Sequence, residues 1–134
     1  MNSTLFSRVS LNKHDEGFSA ATVIPMGDKS LVFISGEVGR DSGGRIVAGG
    51  FENEVRQCFA NIERALKACN AGFPDVVRIT AYLKDLAQYA VYAQVRNEVF
   101  GDAWPASASV GVHDLLLGAQ IEIDAIAVVT ASSS

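Results

Sequence analysis

The spacing of hydrophobic positions switches between a period of two and a period near 3.6 along this chain, and each switch predicts an element. "LFSRVSL" (5–11) reads as a short first strand, followed by a polar loop, "NKHDEGFS" (12–19). "AATVIP" (20–25) and "SLVFIS" (30–35) are β-branched and aromatic runs joined by "MGDK", which suits a hairpin turn. The next fifteen residues, "GEVGRDSGGRIVAGG" (36–50), hold six glycines and read as turns and loop. No GxGxxG pattern precedes a helix there, so a nucleotide fingerprint is not assigned. "FENEVRQCFANIERALKACN" (51–70) is the clearest helix, with Val55, Phe59, Ile62, Leu66 and Cys69 on one stripe. Asn70, Ala71 and Gly72 supply its stop. "DVVRITAYLKD" (75–85) alternates as a strand, with Val77, Ile79, Ala81 and Leu83 on one face. "LAQYAVYAQVRNEVFG" (86–101) is a second helix with Val91, Val95 and Val99 four apart, and "PASASVGV" (105–112) and "QIEIDAIAVV" (120–129) are closing strands. The order βββαβαββ predicts an α+β domain over residues 1–134, with one mixed sheet and both helices on one face.

Such a sheet has an open face. In the last strand Ile121, Ile123, Ala125, Ala127 and Val129 belong under the helices, which leaves Gln120, Glu122, Asp124, Ile126 and Val128 on the other side. Burying Ile126 and Val128 contributes about 1.5–3 kcal/mol each, and no segment is left over to cover them, so a second copy of the chain is expected there. In "PASASVGV" the same alternation assigns Ala106, Ala108, Val110 and Val112 to the helix side and Ser107, Ser109 and Gly111 to the open face. A cavity beside Glu122, lined by Ser107 and Ser109 and closed by a second subunit, is the expectation; a solvated Glu122 at a strand edge is the alternative.

Composition narrows the partners. Apolar residues make up 49% and charged residues 19%, which fits either surface hidden in an oligomer or a small enzyme with a rich core. Net charge is −4 and the basic residues are scattered, which disfavours nucleic acid. No apolar run reaches the length of a membrane span and the start carries no secretory pattern, so a cytoplasmic location is expected. Cys58 and Cys69 lie eleven apart on a helix, roughly 16 Å, too far for a disulfide. No Cys/His cluster has metal-ligand spacing, His14 and His113 are isolated, and neither metal nor organic cofactor is indicated.

"SLVFISGEVG", the long helix after a glycine-rich hairpin, "DVVRITAYLKDLAQY", "VFGDAWPAS" and "GAQIEIDAIAVV" together resemble the Rid/YjgF family, the reactive intermediate deaminases, from about Phe18 to Val129. The resemblance implies a chorismate-mutase-like (ferredoxin-like) fold, a homotrimer with ligand sites between subunits, and hydrolysis of small enamines or imines to a carbonyl compound and ammonia. It places the catalytic glutamate at Glu122, and the substrate-binding "SG" turn at Ser35 and Gly36. The pocket aromatic falls on Phe18, which keeps the ring and lacks a hydroxyl. An asparagine that the family carries on the second helix falls on Ala93. The family's carboxylate-gripping arginine, in a "PARS" motif, falls on Ser107. Losing that bidentate contact removes roughly 2–5 kcal/mol of anchoring, against about 1 kcal/mol for a serine hydrogen bond. A substrate different from those of arginine-bearing relatives is therefore expected, and a Glu122 buried without a cation is expected to have a raised pKa. Arg40, Arg45 and Arg96 are the candidates to supply a cation from elsewhere. A small-molecule-binding trimer without turnover is the alternative function; ribonuclease activity is disfavoured by the acidic balance.

Overall fold

The computed structural model describes residues 5–11 and 17–130. His14, most of the polar loop at 12–19 and the "ASSS" tail lie outside them. Six strands and two helices follow the order read from the sequence: β1 Ser7–Val9, β2 Ala21–Met26, β3 Lys29–Val38, α1 Phe51–Ala68, β4 Val76–Leu83, α2 Tyr89–Phe100, β5 Ala106–Gly111 and β6 Ile121–Thr130. They form one mixed sheet in the order β1-β2-β3-β6-β4-β5. Among the described strands only β4 and β5 run parallel, with α2 as the crossover.

Local chemistry explains the limits of α1. Glu52 and Glu54 sit in its first turn and Lys67 in its last, matching the helix dipole. Asn70 adopts φ 60, and the Ala71 and Asn70 amides donate to the Leu66 and Lys67 carbonyls at 2.9 and 3.1 Å, a Schellman stop. The helix buries Val55, Cys58, Phe59, Ile62, Ala65 and Leu66 against β3, β6 and α2. Both cysteines are free and buried, as small core groups. Between the helices Phe59 stacks on Tyr92, their ring centroids 6.3 Å apart, and Phe73 and Phe100 meet it edge-on.

Residues of both helices share one core with Ile79, Ala81, Leu83, Ile121, Ile123, Ala125 and Ala127, so the helices lie on one face of the sheet as expected. Three details differ from the sequence reading. In β4 the buried residue is Val76, and Val77 is 46% exposed, because the pairing with β6 slips between Val76 and Arg78. The second helix starts at Tyr89, after a 3-10 turn at Leu86–Gln88 whose Ala87 amide is held by the Asp85 carboxylate at 2.9 Å. Its buried residues are Tyr92, Val95 and Phe100, with Val91 and Val99 at the margin.

The third difference concerns β5. Its residues pair Ile79 with Ser107, Ala81 with Ser109 and Leu83 with Gly111, and paired residues share a face. Ser107, Ser109 and Gly111 therefore face the helix layer, and Ala106, Ala108 and Val110 face the open side. A side chain at Gly111 would meet Leu86 Cδ1 at 3.1 Å, which confirms the orientation. The alternation was right and its phase was inverted. β5 is an edge strand, so the side under α2 needs small groups rather than apolar ones.

The open face carries Leu31 and Phe33 of β3, Ile126 and Val128 of β6, and the polar residues Thr80, Tyr82, Glu122 and Asp124. Phe33 is 39% exposed. Among the described residues no helix is long and apolar enough to cross a membrane.

Candidate functional site

The end of β3 and the start of β6 meet at an irregularity, and Glu122 sits there. β3 pairs regularly with β6 from Lys29 to Ile34, then the register shifts before Glu37, which leaves Ser35 and Gly36 in a bulge. Gly36 lies directly against the Glu122 side chain. A Cβ at position 36 would fall 2.5 Å from Glu122 Oε2 and 3.0 Å from its Cδ. The glycine is thus a requirement of space, in a backbone conformation that any residue adopts.

Ser35 is spent on scaffolding. Its hydroxyl donates to the Ser19 carbonyl and its amide to the Ala20 carbonyl at 3.0 Å, tying the segment that carries Phe18 to β3. Phe18 itself is 57% exposed. The structure therefore brings Ser35, Gly36, Glu122 and the Phe18 segment to one end of the sheet.

Glu122 is half-buried and, among the described residues, has no hydrogen-bond or ion-pair partner. Partial burial pushes its carboxyl above the ordinary carboxylate range, and the charge of Asp124 on the same face adds to the rise. This is the direction expected for a carboxylate without its cation. Asp124 is held in turn by the Tyr82 hydroxyl, which donates to it at 3.0 Å. Tyr82 is the registered neighbour of Glu122 on β4.

A second carboxylate anchors the strand. Glu54 is 2% exposed, and it accepts the Gln120 amide at 2.6 Å and the Gln120 side-chain nitrogen at 3.0 Å. Gln120 immediately precedes β6, so this clamp sets the point from which Glu122 emerges. Gly39 lets the strand end approach α1, since a Cβ there would lie 2.5 Å from the Glu54 carbonyl oxygen. Cys58 lies beneath, its thiol at 3.4 Å from the Glu37 carbonyl. Burial pushes that thiol well up, and the charges of Glu54, Glu37 and Glu122 add to it, so it is chemically quiet.

Ser107 and Ser109 are not beside Glu122 within one chain. They lie two strands away, roughly 10 Å, and on the opposite face of the sheet. Ser107 instead lines a pocket of about 380 Å³ with Arg96, Asn97, Phe100, Trp104 and Pro105. Of the three candidate arginines, Arg96 is the one that lines a pocket with Ser107. Arg45 is exposed on the loop after β3, and Arg40 lines a separate small pocket with Glu37, Asn61 and Arg64.

Sequence reasoning missed the Glu54 clamp, the Tyr82–Asp124 pair and the surroundings of Arg96. A signal existed for two of them. Glu54 sits four residues before Cys58 on the buried side of α1, and Tyr89, Tyr92 and Arg96 follow the spacing of one helix face. His113 is exposed in the loop after β5. Among the described residues no three His, Cys, Asp or Glu side chains converge as a metal-binding group.

Residues 16–129 match the family model described as Endoribonuclease L-PSP. The chain is 37% identical over 98 residues to the 2-iminobutanoate/2-iminopropanoate deaminase of Bos taurus, covering 72% of each. It is 32% identical over 129 residues to the Rattus norvegicus protein of the same name, covering 96% of this chain and 93% of the relative. Among solved structures, RidA from the Antarctic bacterium Psychrobacter sp. superposes with TM-score 0.76 at 28% identity, over 91% of this chain and 94% of that one.

Proposed function

This chain belongs to the Endoribonuclease L-PSP family, which is the Rid/YjgF family of the resemblance noted above, and has its chorismate-mutase-like α+β fold; from that premise we propose that it hydrolyses a small enamine or imine to a carbonyl compound and ammonia. The observation that carries the reading is the placement of Glu122 against Gly36, half-buried, without a partner, and with a raised pKa. A carboxyl whose pKa is raised holds a proton more readily than an ordinary one, which suits it to general acid and base work. Its carboxylate takes a proton from water as the oxygen attacks the C=N carbon, and returns one to the nitrogen. In the collapse of the resulting carbinolamine its hydroxyl proton passes to the nitrogen, the C=O bond forms and the C–N bond breaks, releasing ammonia. Phe18 supplies an aromatic wall and Gly36 a bare backbone against which a planar substrate fits, while Ser35 holds the two together.

The site is completed by a second copy in a homotrimer. The apolar end of the open face supports this, since among the described residues Phe33 is left 39% exposed and Leu31, Ile126 and Val128 are only half-buried. The inverted phase of β5 supports it too. Ser107 and Glu122 share a cleft only if they come from different chains. With serine at the arginine position, the substrate differs from those of arginine-bearing relatives.

A second reading, a binding trimer without turnover, draws on that absence of a cation at Glu122. Cleavage of RNA, which the family description names, is disfavoured because Glu122 and Asp124 put two carboxylates on the face that would meet phosphate. The experiment generates amino-acid-derived imines in the presence of the protein and follows carbonyl release. Turnover that Glu122→Ala abolishes supports hydrolysis. Equal rates with and without the substitution refute it and leave the binding trimer.

A further inference from the structure

The outer part of α2 holds a cation whose charge is unspent. The Arg96 guanidinium carbon lies 5.8 Å from the Tyr89 ring centroid and 5.5 Å from that of Tyr92, so the group is stacked along the helix by two aromatic rings. It donates to the Tyr89 hydroxyl at 3.1 Å and to the Asn97 side-chain oxygen at 3.3 Å. Neither hydrogen bond is to a carboxylate. Arg56 on α1, by contrast, is paired with both Glu52 and Glu98. Arg96 forms no salt bridge among the described residues. Stacking fixes its direction, and that direction is the pocket shared with Ser107.

A second polar group lies beside this cation. The Tyr92 side chain is 0% exposed, and its hydroxyl makes no well-formed hydrogen bond. Burial pushes this hydroxyl's pKa up, while the Arg96 charge and loose hydrogen bonding toward Ser107 and Arg96 pull it down. Arg96 and Ser107 are therefore its polar neighbours. Of the remaining walls, Phe100, Trp104 and Pro105 are apolar and Asn97 is polar.

We propose that this pocket seats a small organic carboxylate bearing an apolar or aromatic arm. Arg96 grips the carboxylate, the Ser107 hydroxyl adds a contact, and Trp104 and Phe100 cover the arm. The role in catalysis rests on the imine hydrolysis and the intersubunit cleft proposed above: the carboxylate is then that of the imine, and the cation absent from β5 is supplied by α2. The substrate class becomes imino acids with sizeable apolar side chains, since about 380 Å³ between aromatic walls suits more than a methyl or ethyl arm.

Trp104 is the chain's single tryptophan and is 75% exposed, so its fluorescence reports the pocket directly. The experiment titrates the intact protein with benzoate and with the neutral benzamide. A saturable change with benzoate, at least about tenfold weaker with benzamide, is expected. Arg96→Ala lowers benzoate affinity by at least about tenfold with an unchanged unfolding midpoint, and Arg96→Lys keeps part of it as a point charge. Equal affinity for the two probes, no benzoate response up to about 10 mM, or wild-type affinity in Arg96→Ala overturns the proposal. Benzoate binding with no imine turnover refutes the hydrolase reading and leaves the pocket standing. Turnover lost in Glu122→Ala but kept at wild-type KM in Arg96→Ala refutes the pocket alone.

Discussion

Gly36→Ala separates the geometry of the site from the stability of the fold. The new methyl carbon would lie 2.5 Å from Glu122 Oε2, whereas ordinary contact begins at 3.4 Å. The carboxylate oxygen must therefore retreat by about 0.9 Å. The obstacle is the far end of a flexible side chain at a half-buried position, so retreat costs little. Position 36 does not have a left-handed backbone, so alanine adds no strain. Its smaller unfolded-state entropy contributes about 0.4–1 kcal/mol in favour of folding. Stability should thus change by no more than about 1 kcal/mol in either direction. If Glu122 moves protons as proposed, activity should not escape so lightly, because a displacement near 1 Å of such a group costs roughly 10- to 100-fold in rate. The assay pairs urea unfolding with kcat/KM for an imine substrate, and repeats both in a Glu122→Ala background. There the clash has no target, so Gly36→Ala should add nothing to the loss. Unchanged kcat/KM in the single variant would refute the claim that Gly36 sets the position of Glu122, as would an equal loss in both backgrounds.

The raised pKa of Glu122 predicts a direction for stability against pH. The folded chain holds this proton more tightly than the unfolded one, so stability falls as pH rises from the ordinary carboxylate range through the raised folded value. Relative to Glu122→Gln, the wild type should lose stability as pH rises above the ordinary carboxylate range, by urea midpoints at each pH; a difference that grows in its favour would contradict the assignment. Glu54→Ala removes both acceptors of Gln120 from a buried site and should cost about 3 kcal/mol, whereas Glu54→Gln, which keeps one acceptor, should cost about half as much by the same measurement. No loss in Glu54→Gln beside a full loss in Glu54→Ala would place the role of Glu54 in packing alone. Tyr92→Phe removes a hydroxyl that makes no well-formed hydrogen bond, so the ligand-free protein should be as stable or gain up to about 1 kcal/mol in thermal unfolding. A loss of that size would reveal a partner for the hydroxyl.

Much of the architecture was legible because it is local. The stripe on α1 and the alternation in β6 place Val55, Ile62, Ile121 and Ile123 in the core without reference to any other element. The "SG" turn and the strand glutamate were legible as a resemblance, and the contact of Gly36 with Glu122 shows why these two residue types belong together. Ser107 and Ser109 were placed on the wrong face for an equally plain reason. Alternation states that two sets of side chains point in opposite directions, but it does not state which set meets the helices. In a central strand polarity decides that question. In an edge strand both faces are partly covered, and polarity decides little.

The sequence by itself determined the elements, their order and the apolar face of each long one, since these follow from periodicities within a single segment. Tertiary structure decided the rest. The slip at Val76 and Arg78, the bulge at Ser35 and Gly36, the phase of β5, and the meetings of Glu54 with Gln120 and of Arg96 with Ser107 all join residues far apart in the chain or depend on strand pairing. No period within one segment encodes the register between two, and it is register that puts a carboxylate beside a glycine and a guanidinium beside a serine.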